Sequence, residues 1–155
     1  MQPAEARIAE LLDAAGVADV SVTTEPFGMV VRVRAAAVEE ALATLWHADY
    51  EMLVDMFAAD TGEQIALTYH VRRLEDMHEL YVRATVDYDG EAPSVWRVYP
   101  AALYPEREAA ELFGVSFAAH PNPKRLLTTD EVEGYLLRKA TPVRSEEEVT
   151  LRGRV

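Results

Sequence analysis

Three apolar-rich segments in the middle of the chain, separated by short polar turns, constrain the fold more than any other feature. The segments span residues 50–58, 65–73 and 79–87, and the last two contain Val, Tyr and Thr residues, which favour strands. Residues 60–62 and 75–78 between them include Asp and Gly, which are typical of turns. Short connections of this kind join neighbouring antiparallel strands, so the sequence predicts a three-stranded antiparallel meander.

Two helices and a hairpin precede the meander. Residues 3–15 and 35–46 place apolar side chains at helical spacing. Residues 20–22 and 29–33 have strand character and flank a turn at residues 25–28. The order of helix, two strands, helix and three strands predicts an α+β fold. We expect a two-layer sandwich in which helices cover one face of a mixed, mostly antiparallel sheet.

The last third of the chain changes character. Pro105 suits the first helical position, Glu106 suits the first turn, and Gly114 suits the end of the same helix. Prolines and glycines then recur and favour an irregular structure. We therefore predict an α+β domain over residues 1–120 and an extended C-terminal docking arm over residues 121–155.

The composition argues against several classes of function. The 155 residues include no cysteine, which rules out disulfides, thiolate zinc sites and iron–sulfur ligation. The net charge of −12 repels nucleic acid, and no glycine-rich phosphate loop is present. No apolar run approaches a membrane span, so we expect membrane contact only through partner proteins. His70 and His78 lie eight residues apart, and no carboxylate spacing completes a metal site with them.

Charged residues cluster on the predicted C-terminal helix. Glu106, Arg107, Glu108 and Glu111 lie within two turns, and residues four apart share a helix face, so Arg107 could pair with Glu111. The alternative interpretation of this cluster is a solvated start of the helix. His120 follows. One hypothesis makes the chain a stand-alone enzyme, with His120 and either Glu108 or Glu111 as an acid–base pair. The alternative interpretation is a structural histidine, because no nearby serine or cysteine forms a convincing nucleophile pair with it.

Taken together, residues 106–127 read E-R-E-A-A-E-L-F-G-V-S-F-A-A-H-P-N-P-K-R-L-L. This stretch resembles the signature of the C subunit of respiratory complex I. That signature is E-R-E, two residues, an acid, two apolar residues, six residues, His, three residues, a base, one residue and two apolar residues. The resemblance extends over roughly residues 30–142. Where the family usually has Asp, this chain has Glu111, and Asn122-Pro123 replaces an Asp-Leu pair.

The resemblance implies a place in the hydrophilic arm of a membrane-associated NADH:quinone oxidoreductase, peripheral to the cell membrane on its cytoplasmic face. It implies a subunit with no flavin, iron–sulfur cluster, quinone ligand or active site of its own. The implied partners are the large subunit that forms the quinone pocket and the iron–sulfur subunits. The equivalent subunit of membrane-bound [NiFe] hydrogenases and formate hydrogenlyases is an open alternative. A generic interaction domain unrelated to respiration is another.

The resemblance also indicates which residues would dock the partner, and it implies no catalytic, cofactor-binding or metal-binding residue. In the docking role, Arg107 is expected to pair with Glu111 or with a partner carboxylate, because a guanidinium binds a carboxylate with two parallel hydrogen bonds. An extended arm loses entropy on docking, so we expect it to be mobile in the isolated chain. The expected docking residues are Glu106, Arg107, Glu108, Glu111, His120, Lys124, Arg125, Arg138 and Lys139.

Overall fold

The computed structural model describes residues 3–141, and their helices and strands follow the predicted order. Two short 3-10 turns, at Ala35–Ala37 and Pro100–Ala102, lead into the second and third helices. The elements in chain order are α1 (Pro3–Ala14), β1 (Ser21–Glu25), β2 (Gly28–Arg32), α2 (Val38–His47), β3 (Met52–Asp60), β4 (Ile65–Arg72), β5 (Glu79–Val86), β6 (Glu91–Pro93), α3 (Leu103–Phe113) and β7 (Ser116–Ala118).

The main sheet has five strands in the order β1-β2-β5-β4-β3. Strands β3, β4 and β5 form the predicted antiparallel meander, and β1 and β2 form the predicted hairpin. Strands β2 and β5 pair in parallel, and this pairing joins the hairpin to the meander. The chain between them contains α2, β3 and β4, which provide the long connection that a parallel pair requires. The prediction of a mixed, mostly antiparallel sheet in an α+β fold is therefore confirmed.

Side chains alternate between the two faces of the sheet. On β5, Leu80, Val82, Ala84 and Val86 are buried, whereas the residues between them are exposed or half-buried. This alternation follows from the two-residue period of a strand and defines an inner face that packs on the helices. The apolar stripes of the three helices join these side chains in one core, to which they contribute Ile8 and Leu12 from α1, Leu42 and Leu45 from α2, and Ala109 and Phe113 from α3.

Two features near the C-terminal end differ from the prediction. Helix α3 begins at Leu103 rather than Pro105, since a proline is tolerated throughout the first turn, where backbone N–H groups have no helical partner. Strands β6 and β7 form a separate parallel pair that the sequence did not indicate. Each has only three residues, too few to show a two-residue period, and Pro93 in β6 favoured a turn.

Between Ala119 and Thr141 the described chain contains no helix or strand, as expected for the arm. The last part of the predicted arm, residues 142–155, lies outside the described residues, and the division into two domains stays a prediction. Within residues 3–141, no helix has the length and apolar character needed to span a bilayer.

Gly114 ends α3 in the left-handed conformation, with φ of 75°. A methyl group at this position would collide with the side chains of Arg138 and Tyr135, which pack over the helix end. Gly16, just after α1, has φ of 87°, but among the described residues beyond its two chain neighbours no atom lies within 4 Å of where a methyl group would stand.

We predict that Gly114→Ala lowers the free energy of unfolding more than Gly16→Ala does. Both substitutions carry the left-handed penalty of about 1–2 kcal/mol. Only Gly114→Ala also displaces Arg138 and Tyr135, which adds about 1–2 kcal/mol for lost hydrogen bonds. Urea unfolding of the two variants and the wild type measures the difference. Equal losses would show that the contacts over the end of α3 contribute nothing.

Candidate docking site around helix α3 and the C-terminal arm

Glu106 is a carboxylate inside the core. It lies on the same face of α3 as Ala109 and Phe113, and its exposed fraction is 0%. The Ser94 hydroxyl donates a short hydrogen bond to Glu106 Oε2, and the Val95 backbone N–H donates to Oε1 at 2.7 Å. Glu106 therefore connects α3 to the chain segment that follows β6.

His120 lies between the start of α3 and the start of the arm. Its Nδ1 accepts a hydrogen bond from the Asn122 N–H at 3.0 Å, so the ring proton is assigned to Nε2. Nε2 then donates to the Leu103 carbonyl at 3.0 Å and lies 3.7 Å from Glu106 Oε2. Both ring nitrogens of His120 are thus bound to backbone groups, and among the described residues the carboxylate within 4 Å of Nε2 is that of Glu106 and not that of Glu108 or Glu111.

Burial dominates the electrostatics of this cluster. Desolvation raises the pKa of Glu106, and the hydrogen bonds from Ser94 and Val95 offset only part of that rise. Burial, followed by the charge of Glu106, raises the pKa of Tyr69 on β4, whose hydroxyl has no hydrogen-bond partner among the described residues. A carboxylate in such surroundings is stabilised only by its direct hydrogen bonds.

Arg107 and Glu111 both bind the backbone of the arm rather than each other. The Arg107 guanidinium donates to the carbonyls of Lys124 at 2.8 Å and Arg125 at 2.6 Å. Glu111 accepts from three consecutive backbone N–H groups of the arm, at residues 126–128, over distances of 2.5–2.9 Å. The expected Arg107–Glu111 pair is therefore wrong, because the arm offers each side chain two or three partners in place of one.

The electrostatics of Glu111 follow from these bonds. Desolvation by the arm acts to raise its pKa. The Thr128 hydroxyl and the backbone N–H groups of residues 126–128 act in the other direction and together lower the pKa of Glu111 to about 2. Glu111 is consequently ionised at neutral pH, where its hydrogen bonds to the arm are charge-assisted.

Arg138 binds the carboxyl end of α3. Its Nε donates to the Phe113 carbonyl at 2.7 Å, where the negative end of the helix dipole favours a cation. Its Nη2 pairs with Asp89 at 2.8 Å. The guanidinium also lies over two aromatic rings, 4.3 Å from the Tyr135 centroid and 5.0 Å from the Tyr88 centroid.

The end of the described arm binds the end of β3. The Lys139 backbone N–H donates to Asp60 Oδ2 at 2.7 Å, and the Tyr88 hydroxyl donates to Asp60 Oδ1 at 2.7 Å. The Leu137 N–H donates to the Leu112 carbonyl at 3.1 Å. Up to residue 141, the arm therefore packs against α3 and β3 of the same chain. These hydrogen bonds replace our expectation of a mobile arm with that of an arm bound to α3 and β3.

The two histidines considered for a metal have other contacts. His70 stacks on the Tyr81 ring at 4.4 Å, and its Nε2 lies 3.2 Å from Glu79 Oε2. His78 Nδ1 shares a 2.8 Å hydrogen bond with the Tyr50 hydroxyl.

Comparison with known proteins decides the family. The family described as the 30 Kd subunit of the respiratory-chain NADH dehydrogenase matches residues 31–147, which include all of α3 and the described arm. The chain belongs to this family. The resemblance seen in residues 106–127 is thereby confirmed.

Relatives in the NADH dehydrogenase 30 Kd subunit family share about a third of their aligned residues with the chain. The C subunit of the NADH-quinone oxidoreductase from Maricaulis maris is 36% identical over 64% of this chain and 52% of its own length. Those from Moorella thermoacetica and Caulobacter vibrioides are 37% and 34% identical, over 63% and 78% of this chain and 68% and 64% of their own lengths. The chain spans about half the length of the first of these relatives.

A solved structure shares the fold. A chain in the membrane-bound sulfane sulfur reductase, an archaeal respiratory membrane complex, superposes with a TM-score of 0.78 at 24% sequence identity. The superposition covers 99% of this chain and 93% of that chain. At this identity the likeness shows the fold alone.

The predicted docking residues of this family member fall into two groups. Glu106, Arg107, Glu111, His120 and Arg138 use their polar atoms in contacts within the chain. The other predicted docking residues are exposed to solvent, as are several large apolar side chains of α3 and the arm. The exposed charged residues are Glu108, Lys124, Arg125 and Lys139, of which Arg125 also donates to the Thr128 hydroxyl at 2.9 Å. The exposed large apolar residues are Tyr104, Leu127, Tyr135, Leu136 and Leu137.

Some residues of the site escaped the sequence analysis. Ser94 binds Glu106, Asp60 binds the arm, and Asp89 binds Arg138. In the sequence these three residues indicate only loops or turns. One available signal was the position of Glu106, which shares the apolar stripe of α3 with Ala109 and Phe113. A carboxylate at an inward-facing helical position requires buried hydrogen-bond donors.

We predict that Glu106→Gln changes how stability depends on pH. Because the pKa of Glu106 is raised in the folded chain, the folded state retains this proton to a higher pH than the unfolded state. The contribution of Glu106 to stability therefore falls as pH rises from its ordinary pKa of 4.5 through the raised value. Gln keeps the Val95 hydrogen bond but does not titrate. Urea unfolding should show the wild type losing stability relative to Glu106→Gln across that window, and a constant difference would contradict the prediction.

For Glu111→Gln we predict release of the arm at neutral pH. The Gln amide keeps one acceptor oxygen, but its NH2 group replaces the second oxygen and faces at least one backbone N–H that needs an acceptor, so hydrogen exchange at residues 126–128 should accelerate about tenfold. In the wild type, residues 126–128 should be protected from hydrogen exchange above the ordinary Glu pKa, and this protection should be lost as pH falls toward about 2. The direction of this pH dependence is opposite to that predicted for the contribution of Glu106 to stability. The control is Glu108→Gln, an exposed carboxylate on the same helix. Equal exchange in both variants would show that Glu111 does not bind the arm.

Proposed function

We propose that this chain is a structural subunit in the hydrophilic arm of a membrane-associated NADH:quinone oxidoreductase. In this proposal it carries no flavin, iron–sulfur cluster or quinone ligand, has no active site, and packs beside the subunit that forms the quinone pocket. Iron–sulfur subunits of the same complex are further partners. Contact with the membrane, on its cytoplasmic face, is made only through these partners.

One observation carries the proposal. Four polar residues of the family signature are used inside the chain, where Arg107 and Glu111 bind the arm and Glu106 and His120 bind the segments that flank α3. A reactive centre needs polar groups that converge on a space a substrate can reach. Glu106, Arg107 and His120 border a cavity of about 180 Å³, but their polar atoms are hydrogen-bonded to other groups of the chain, which supports a scaffold role.

The surface that remains around α3 supports docking. Tyr104 is 64% exposed and Leu127 is 60% exposed, and exposed cationic side chains lie nearby along the arm at Lys124 and Arg125. Large apolar side chains surrounded by charged groups are typical of protein–protein interfaces. The arm bound to α3 presents these side chains in a defined arrangement, which lowers the entropy lost when a partner binds.

A second candidate is the equivalent subunit of a membrane-bound [NiFe] hydrogenase or formate hydrogenlyase complex. It is favoured by the fold shared with a chain of the membrane-bound sulfane sulfur reductase, a respiratory complex of a different kind. The large subunit that copurifies with this chain distinguishes the two candidates, because a hydrogenase-type subunit binds nickel. Membership of the NADH dehydrogenase family argues against a generic interaction domain.

We predict that Arg107→Ala impairs assembly of the complex. Removing the guanidinium leaves the carbonyls of Lys124 and Arg125 without their donors and frees the first part of the arm. The amount of chain recovered with the tagged large subunit should fall several-fold. Quinone reductase activity per assembled complex should stay unchanged.

Arg34→Ala provides the control for this experiment, because Arg34 is an exposed arginine far from α3 in sequence that pairs with Asp19. It should leave assembly intact. Normal assembly of Arg107→Ala combined with reduced electron transfer would contradict the scaffold role and indicate direct participation in the reaction.

A further inference from the structure

A cavity of about 180 Å³ lies where the chain leaves β7 and the arm begins to cross α3. Four of its walls are apolar and come from three parts of the chain. Ala110 belongs to α3, Val115 lies directly before β7, Phe117 lies in β7, and Pro123 belongs to the arm. The hydrogen bonds of Arg107 to the arm maintain this arrangement, because they fix the residues directly after Pro123 against α3.

The polar residues of the cavity have partners within the chain. Glu106 accepts from Ser94 and Val95, and both ring nitrogens of His120 are hydrogen-bonded. Arg107, which also lines the cavity, donates to two carbonyls of the arm, and Ser116 Oγ donates to the Gly90 carbonyl at 3.3 Å. A small polar ligand would have to compete with these bonds. An apolar group in the cavity would leave them intact.

The cavity has the volume of a side chain. In other proteins an apolar cavity of about 150 Å³ accepts a benzene ring. A space of about 180 Å³ therefore accommodates the side chain of a leucine, methionine or phenylalanine. At protein interfaces, a large side chain enclosed in such a pocket commonly supplies much of the binding energy.

The charges beside the cavity indicate the surroundings of that side chain. Lys124 and Arg125 directly follow Pro123 and are exposed, and one nitrogen of the Arg125 guanidinium donates to the Thr128 hydroxyl at 2.9 Å. Glu108 is an exposed carboxylate of α3. Two cations against one anion make this part of the surface positive in a chain whose net charge is −12. A partner segment that carries carboxylates next to its apolar residue complements it.

We propose that this cavity receives one apolar side chain from an acidic segment of another subunit of the complex. The inference rests on the proposed function, since it specifies how the chain docks. The inserted side chain contacts Ala110, Phe117 and Pro123, and the acidic neighbours of that side chain pair with Lys124 and Arg125. The arm thereby contributes to docking through the cavity it forms with α3 and β7.

Two substitutions that fill the cavity, one from α3 and one from β7, test the proposal. Ala110→Phe introduces a ring from α3, and Ser116→Phe introduces one from the exposed end of β7. Each should reduce the chain recovered with the tagged large subunit at least tenfold. Ala14→Phe, at an exposed position on α1, is the matched control and should assemble normally. Ser116→Phe decides the matter if Ala110→Phe does not fold, which circular dichroism of the purified chain establishes.

A photo-crosslink identifies the occupant. A diazirine lysine in place of Lys124 leaves the cavity open and reaches its surroundings. Mass spectrometry of the assembled complex should locate the crosslink within a few residues of an apolar residue that has acidic neighbours, on another subunit. The crosslink should disappear in Ser116→Phe. Normal assembly of both filled variants, or a crosslink confined to this chain, would overturn the cavity proposal while leaving the docking role in place. Failure of the wild-type chain to copurify with any subunit would overturn the proposed function itself.

Discussion

Two side chains of α3 bind the irregular backbone of the arm, and this interaction determines the path of the arm across the helix. Arg107 and Glu111 lie one helical turn apart, and they bind groups of opposite polarity in residues 124–128, carbonyls for the arginine and N–H groups for the glutamate. Backbone groups outside helices and sheets need partners when they pack against a protein surface. The middle of a helix has no free backbone groups to offer, so charged side chains take that role there. The same principle recurs at Asp60, which accepts from the Lys139 N–H, and at Arg138, which donates to the Phe113 carbonyl.

Glu106 differs from Arg107 and Glu111 because it is buried. Its ionised form reduces the stability of the fold, yet its side chain connects three parts of the chain. Burying a carboxylate costs several kcal/mol unless hydrogen bonds replace its water. Ser94 and Val95 provide those bonds from the segment after β6, and His120 approaches from the start of the arm. The directional bonds of a buried charge thus determine where the chain enters and leaves the region around α3. An apolar residue at this position would pack in the core but would not orient either segment.

The sequence predicted the meander, the hairpin and the three α-helices, each helix to within three residues at each end, because these elements have clear hydrophobic periods and turn residues. It did not predict the pairing of β6 with β7, which depends on how α3 folds back and not on any local period. The signature residues were recognised, but their partners were not. Arg107 and Glu111 have ideal spacing for a helical ion pair, and only the path of the arm shows that both bind its backbone. Long-range hydrogen bonds to backbone groups leave no pattern in a single sequence, because the partner can be any residue.

We infer that residues 121–141 are bound to α3 and β3 of the same chain before any partner binds. Backbone ¹⁵N relaxation of the isolated chain tests it most directly. The hydrogen bonds predict order parameters for residues 124–128 and 137–139 similar to those of α3 and the central strands, about 0.8 or higher. Values below about 0.6 at these residues, with the strands remaining rigid, would show that the arm is free in the isolated chain and becomes ordered only on its partner.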